Sequence, residues 1–161
     1  MRPTNLYLRE NGTLSFEEPE VSGRGVSDQY LSDPNHPVPF SAEIRTSLGH
    51  LWKVEDQRFA STRPDVLTYV SEPLTEHLTI AGPILANIFV STTGTDSDWI
   101  VKLIDVYPGD APPSEACAVP MGGFQMHVAG EIMRGKFRNS LENPEPMIPG
   151  EVTRIDIDLK D

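Results

Sequence analysis

The pattern of apolar and polar positions predicts a chain of short strands separated by turns. The clearest strand patterns lie at 84–92, 99–107, 126–133 and 152–159, and shorter ones lie at 66–70 and 77–80. The last segment alternates almost strictly, with one slip at 153–154. Its apolar members are expected to face a core while the residues between them face water. They are Val152, Ile155, Ile157 and Leu159.

The N-terminal segment predicts a β-hairpin followed by an extended crossing. Asn11-Gly12 lies between the runs 5–8 and 13–16, and this dipeptide favours a hairpin turn because both positions accept positive φ. Residues 17–50 show few signs of a strand, and prolines 34, 37 and 39 exclude helix from their stretch. A weak helical pattern occurs only at 41–51. We therefore expect a hairpin and linker over 1–50 and a sandwich over 51–161, folded as one unit.

Recurring strands with turn residues between them predict an all-β fold, a two-sheet sandwich of the jelly-roll type. The 161 residues are enough for one core, and the 15 prolines and 12 glycines are spread between the apolar runs. The chain has no apolar run long enough to span a membrane, and its first residues lack the apolar stretch of a signal peptide. The compartment is left open between cytoplasm, periplasm and secretion.

The net charge of −11 argues against a nucleic-acid-binding protein, because contacts with phosphates need a basic surface. The single Cys117 rules out an internal disulfide and leaves the redox compartment undecided.

A search for catalytic chemistry in the sequence finds little. The nucleophile pattern G-x-S-x-G is absent, and its nearest approach, Gly23 to Ser27, lacks the closing glycine. The four histidines are scattered, with no pair at metal-ligand spacing; they are His36, His50, His77 and His127. We therefore expect no catalytic residue, no metal site and no cofactor, and we interpret His77 and His127 as surface or packing residues.

The acidic segment Thr93–Asp98 is a weak candidate for a cation site. Asp96 and Asp98 could supply two of the six to eight oxygens that Ca²⁺ takes, but an apolar strand pattern follows directly. A turn between two strands is the favoured interpretation, because these residue types also suit turns. Trp99 is expected in the core. The basic segment Arg134–Arg138 also has two interpretations. It is either a strand edge, which is favoured, or an anion contact.

Three long strings in this order resemble the C-terminal β-domain of the CocE/NonD hydrolases, which include cocaine esterase, α-amino-acid ester hydrolases, glutaryl-7-aminocephalosporanic-acid acylases and X-prolyl dipeptidyl-peptidases. The strings are VEDQRFASTRPDVLTYVSEPLTEHLTIAGPI (54–84), STTGTDSDWIVKLIDVYPGD (91–110) and GEIMRGKFRNSLENPEPMIPGEV (130–152). The leader at 5–16 and 30–39 resembles the linker into that domain. The resemblance implies a galactose-binding-like jelly roll. It also implies that the catalytic Ser, Asp and His lie in an α/β-hydrolase domain outside this chain.

The resemblance suggests a role for one segment. Thr46 to Phe59, with Leu51 and Trp52, is the candidate wall of a substrate pocket, and Arg58, Arg63 and Asp65 would hold the adjoining corner. The parent's substrate is left open among peptides, amino-acid esters and acyl amides.

Relatives in this family would begin before this chain and continue after it, so we expect a piece of a hydrolase. An unpaired sheet edge would then favour dimerisation or strand exchange. A carbohydrate- or ligand-binding module is the alternative function. Trp52 is its one obvious aromatic platform.

Overall fold

The computed structural model describes residues 3–20, 26–43, 50–116 and 118–159. Over these residues the secondary structure is seven strands, one four-residue α-helix and three 3-10 turns, so the predicted all-β class is confirmed. The chain divides into two compact units. Unit 1 comprises Met1–Trp52 and Gln57–Ile80, and unit 2 comprises Lys53–Asp56 and Ala81–Asp161. The predicted boundary between 50 and 51 stays a prediction.

Unit 1 contains the predicted hairpin. Strands β1 (Tyr7–Arg9) and β2 (Thr13–Ser15) pair antiparallel around the 3-10 turn Glu10–Gly12. Asn11 has φ 60° and Gly12 has φ 69°, so both turn positions take the positive φ that was expected. A Cβ on Gly12 would lie 2.8 Å from the carbonyl oxygen of Thr68, which is a second reason for glycine there.

Two short strand predictions in unit 1 are wrong. Strand β3 is only Val70–Ser71, parallel to β2, so most of the predicted strand at 66–70 is absent. The N–H of Val66 is used in a turn, where it donates to the carbonyl of Arg63. Residues 77–80 lie outside any strand, because alternation over four residues makes no ladder without a partner of matching length. Helix α1 (Arg58–Ser61) was not predicted.

Unit 2 contains the four long strands that the sequence predicted. They are β4 (Ile84–Val90), β5 (Asp98–Val106), β6 (Gln125–Arg134) and β7 (Thr153–Leu159). β4 pairs antiparallel with β7, and β5 pairs antiparallel with β6, with a register shift between Leu103 and Ile104.

The core of unit 2 is built from the alternating face of β7. Ile155 and Ile157 are fully buried, and Ala129 of β6 joins them. Trp99 of β5 packs against this cluster, which confirms its predicted place. Val152 is 64% exposed, so its predicted core position is wrong. The period of two, counted back from Leu159, puts residue 153 on the core face, and the strand begins only there.

Three sequence predictions fall wholly or partly outside the described residues. These concern the helical pattern at 41–51 (residues 44–49), the wall segment (residues 46–49) and Cys117. In the part of the chain that is described, no helix is long and apolar enough to cross a membrane.

Candidate functional site

The acidic segment connects β4 to β5, and thereby passes from one sheet of unit 2 to the other. Its backbone carbonyls are hydrogen-bonded to a distant stretch of the chain. Each of three carbonyl oxygens accepts one N–H at 2.8 Å; the pairs are Thr92 with Gly150, Thr95 with Met147, and Ser97 with Gly135. The segment is therefore an ordered turn fastened to residues 135–150. This confirms the favoured interpretation as a turn between strands.

Both acids of this turn are engaged by the chain itself. Asp96 Oδ1 accepts the N–H of Ser97 at 3.1 Å and that of Lys136 at 3.0 Å. Asp96 Oδ2 lies 3.6 Å from Lys136 Nζ. Asp98 accepts two bonds from Arg134, Nε at 2.7 Å and Nη2 at 2.9 Å, and this pairing holds the pKa of Asp98 below its usual range. Both carboxylates thus act as hydrogen-bond acceptors in a set of contacts that joins residues 92–98 to residues 134–150. We call this set of contacts the brace.

The basic stretch that follows β6 supplies the other half of this brace. β6 ends at Arg134 and Gly135–Phe137 form a 3-10 turn, so the favoured strand-edge interpretation of this segment is wrong. The N–H of Gly135 still bonds to the Ser97 carbonyl, in line with the Asp98–Arg134 register, whereas the N–H of Lys136 bonds to the Asp96 carboxylate instead of to a backbone carbonyl. Arg138 Nη1 donates to the carbonyls of Gly135 and Glu145, at 3.0 and 2.7 Å.

Gly135 is packed tightly at the centre of the brace. Met147 is 2% exposed, and a Cβ on Gly135 would overlap its Sδ and lie 3.3 Å from the Ser97 carbonyl oxygen. The position therefore has no room for a side chain unless Met147 moves.

The described residues contain no group of three or more His, Cys, Asp or Glu side chains that could hold a metal ion. Asp96 and Asp98 accept hydrogen bonds from donors of the protein itself.

A second polar arrangement, the Arg63 corner, lies in unit 1. We define it as Arg63 and Asp65, which follow α1. Arg63 donates Nε to Oδ1 of Asp65 at 2.8 Å and Nη2 to Oδ2 at 2.7 Å. The Arg63 and Asp65 side chains are 30% and 18% exposed, and their hydrogen bonds lower the pKa of Asp65 and raise that of Arg63. Arg63 Nη2 also donates to the carbonyl of His36 at 3.4 Å, which fastens the corner to the proline-rich segment.

The same extended segment carries two further anchors in unit 1. Asp33 accepts the N–H of Asn35 at 2.9 Å and lies 2.9 Å from His36 Nδ1, and these contacts lower the pKa of Asp33. Tyr69 Oη donates to Asp28 at 2.7 Å. Burial and this bond raise the pKa of Tyr69 to about 12.

Among the predicted wall and corner residues, Arg63 and Asp65 form the pair described above. Arg58 is the first residue of α1, and its side chain is exposed. The Trp52 ring is 4.6 Å from that of Phe40, so one side of the predicted aromatic platform is occupied. Leu51 lies in the 3-10 turn His50–Val54, and its side chain is outside the described part of the chain.

A third set of polar side chains in unit 2 consists of His127, Lys102, Lys53 and Glu55, whose charges influence one another. Burial, and then the charges of Lys102 and Lys53, lower the pKa of His127. Burial lowers the pKa of Lys102 as well, opposed by the charge of Glu55. His127 is thus a packed residue of β6, as expected, whereas His77 lies outside any strand.

Comparison with known proteins then decides the family. The model of the X-Pro dipeptidyl-peptidase C-terminal non-catalytic domain matches residues 2–161. The chain belongs to this family. The description of this family is that of a non-catalytic C-terminal domain, which confirms the resemblance found in the sequence.

Similar proteins are hydrolases several times longer than this chain. Cocaine esterase of Rhodococcus sp. (strain MB1 Bresler) is 34% identical over 150 residues, which cover 92% of this chain and 23% of the esterase. The structure of an α-amino acid ester hydrolase is 42% identical with a TM-score of 0.82, and that of an aminopeptidase from a marine sediment Thaumarchaeota archaeon is 38% identical with a TM-score of 0.84. Both structural matches cover 96% of this chain and 25% of the other. The chain therefore spans about a quarter of the length of these relatives.

Proposed function

We propose that this chain is the accessory domain of a serine hydrolase that acts on peptides, amino-acid esters or acyl amides. An α/β-hydrolase domain of the same protein would supply the catalytic Ser, Asp and His. The observation that carries this proposal is the coverage: the family match extends over residues 2–161, but the chain accounts for only 23% of cocaine esterase and 25% of the ester hydrolase.

Within that role, we propose that residues near the Arg63 corner wall the substrate pocket. The bidentate pair fixes the Arg63 and Asp65 side chains to each other, and the bond to the His36 carbonyl fastens the corner to the proline-rich segment. A fixed corner suits a pocket wall, because positioning residues act best on rigid supports. Trp52 and Arg58 lie close to the corner in sequence and would meet the substrate or the catalytic domain.

A chimeric enzyme tests this role. The segment of the α-amino acid ester hydrolase that this chain matches, 25% of that protein, would be replaced by this chain, and kcat/KM would be measured for esters of small and large amino acids. Trp52→Ala and Arg58→Ala are expected to change the ratio of the two kcat/KM values by roughly tenfold, in the range of pocket contacts with apolar groups.

Arg154→Ala is a matched control, because Arg154 is an exposed arginine on the polar face of β7, in unit 2. An active chimera whose selectivity and melting temperature are unchanged by both wall variants would refute the wall role.

Two finer structural proposals accompany the function. We propose a galactose-binding-like jelly roll, which is supported by two antiparallel sheets that share the unit 2 core. We also propose that the chain dimerises through a sheet edge. Among the described strands, β4–β7 and β5–β6 are each two-stranded, and such edges favour pairing with another chain. Light scattering at high concentration that gives only monomer would contradict the dimer.

A further inference from the structure

The tip of the hairpin in unit 1 carries a chemically reactive dipeptide. Asn11-Gly12 is the only place in the sequence where glycine follows asparagine, and the Asn11 side chain is exposed. Asparagine is one of the thermally labile residues, because the backbone nitrogen of the next residue can attack its side-chain amide. Glycine favours this attack, since it has no Cβ to shield the nitrogen or to restrict the backbone.

The reaction at this site needs only water as a co-reactant. The Gly12 backbone nitrogen bonds to Cγ of Asn11, the Cγ–Nδ2 bond breaks, and the amide nitrogen leaves with the Gly12 proton as ammonia. Water then opens the cyclic imide that remains. Attack of water at Cγ gives aspartate, whereas attack at the main-chain carbonyl gives isoaspartate, in which the chain continues through Cβ and Cγ.

The folded turn holds the two reacting atoms apart. The imide ring closes only when the Gly12 nitrogen lies on the same side of the Asn11 Cα–C bond as the Asn11 Cβ. With φ 60° and ψ 30°, Asn11 places this nitrogen nearly opposite to its Cβ. The reaction therefore requires the hairpin to open.

Opening of the hairpin should require little free energy. Strands β1 and β2 have three residues each, and β3 has two. Among the described residues of unit 1, the polar Gln57 is the one with a buried side chain, and Leu8 on β1 is 52% exposed. Segments with few buried apolar contacts open locally at a small fraction of the cost of global unfolding.

We propose that Asn11 is a site of spontaneous deamidation, and that its isoaspartate product prevents the hairpin from closing again. Isoaspartate adds one carbon atom to the backbone of the turn. The register of β1 with β2, and the bond from the Thr13 N–H to the Glu10 carbonyl, both depend on the present turn length. Gly12 already lies against the Thr68 carbonyl oxygen, which would be 2.8 Å from a Cβ on it, so the turn has little freedom to take up the extra atom.

Ageing of the full 161-residue chain at mildly alkaline pH tests the first part of the proposal. Peptide mass spectrometry would follow aspartate and isoaspartate at residue 11, in water labelled with heavy oxygen. Asn143 is the matched internal control, because it is exposed but is followed by Pro144, whose nitrogen carries no proton and cannot form the imide.

Residue 11 should gain both products while Asn143 stays unchanged. In urea the rate at residue 11 should rise about tenfold, because the hairpin is then open throughout and a tenfold change corresponds to about 1.4 kcal/mol of opening free energy. Asn11→Gly should fold like the unsubstituted chain and gain neither product, since glycine accepts positive φ and has no side-chain amide.

Hydrogen exchange tests the second part of the proposal. After chromatographic separation, the isoaspartate form should exchange the amides of residues 7–15 faster than the unmodified chain. Asn11→Asp is the control, because it makes the same change of charge with an unchanged backbone and aspartate also tolerates positive φ. This variant should exchange like the unmodified chain.

Three results would overturn the proposal. One is conversion of residue 11 in urea but none in the folded chain, which would show that the turn stays closed. Another is aspartate without isoaspartate, since direct hydrolysis of the amide would then be the route. The third is equal exchange over residues 7–15 in the isoaspartate form and the unmodified chain, which would show that the hairpin still closes.

Discussion

Replacing Asp96 separates the two roles that its carboxylate could have, backbone brace and cation ligand. In the structure Asp96 Oδ1 accepts the N–H groups of Ser97 and Lys136, while Oδ2 lies 3.6 Å from the Lys136 ammonium. Asp96→Ala removes the one oxygen that accepts both bonds, so that two part-buried N–H groups must bond to water instead. Asp96→Asn keeps an oxygen for the N–H groups and removes only the charge.

The magnitudes follow from these contacts. Loss of the two hydrogen bonds to Asp96 Oδ1 should lower the free energy of unfolding by about 2 kcal/mol, in the range for an unsatisfied part-buried group or a lost cap. Loss of the charge should cost at most about 1 kcal/mol, because the Asp96 and Lys136 side chains are 31% and 36% exposed and water screens the pair. For a chain of this length the melting temperature should fall by about 4–8 °C in Asp96→Ala and by at most about 4 °C in Asp96→Asn.

Urea unfolding followed by Trp99 fluorescence is the assay. A Trp52→Phe background removes the other tryptophan, so that the signal reports the unit 2 core against which Trp99 packs. Equal destabilisation in Asp96→Asn and Asp96→Ala would refute the reasoning, since charge rather than the acceptor would then matter. A rise in melting temperature with Ca²⁺ that both variants abolish would show a cation site instead.

Two further predictions concern other contacts of the structure. Gly135→Ala should lower the free energy of unfolding by about 1–3 kcal/mol, because its Cβ would overlap the buried Met147. If the cause is steric, the double variant with Met147→Ala should lose less stability than the sum of the two single losses. A loss equal to or larger than that sum would contradict the steric cause. Tyr69→Phe should destabilise the chain below pH 10, and the difference from the unsubstituted protein should disappear as the pH rises from 10 towards 12. The folded-state pKa of Tyr69 is raised from 10.0 to about 12, so its stabilising contribution is complete below the unfolded value and is lost above it. Urea midpoints measured at pH 8 and pH 11.5 check the second prediction, and an equal difference at both would contradict it.

The local sequence pattern was sufficient to predict the structure where one face of a strand is buried. The period of two in β7 identified Ile155, Ile157 and Leu159 as core residues, and the burial of these side chains confirms it. Asn11-Gly12 predicted its own turn, because the positive φ of both residues is a local property. The long strings 54–84, 91–110 and 130–152 were also enough to indicate the family, which the match over residues 2–161 confirms.

Local pattern failed where a segment's structure depends on partners elsewhere. Residues 77–80 alternate like a strand but lie in none, and residues 135–138 turn after the end of β6 instead of extending it. Helix α1 is only four residues long, too short for a helical period to show.

The sequence by itself determined the all-β class, the strands of unit 2, the hairpin turn and the family. The tertiary structure alone decided that Asp96 accepts the N–H of Lys136, 40 positions away, and that Tyr69 donates to Asp28, 41 positions away. The reason is physical: periodicity records which side of a strand avoids water, whereas a hydrogen bond between distant segments depends on where the chain folds back. The acids that looked like cation ligands in the sequence are acceptors for that returning chain.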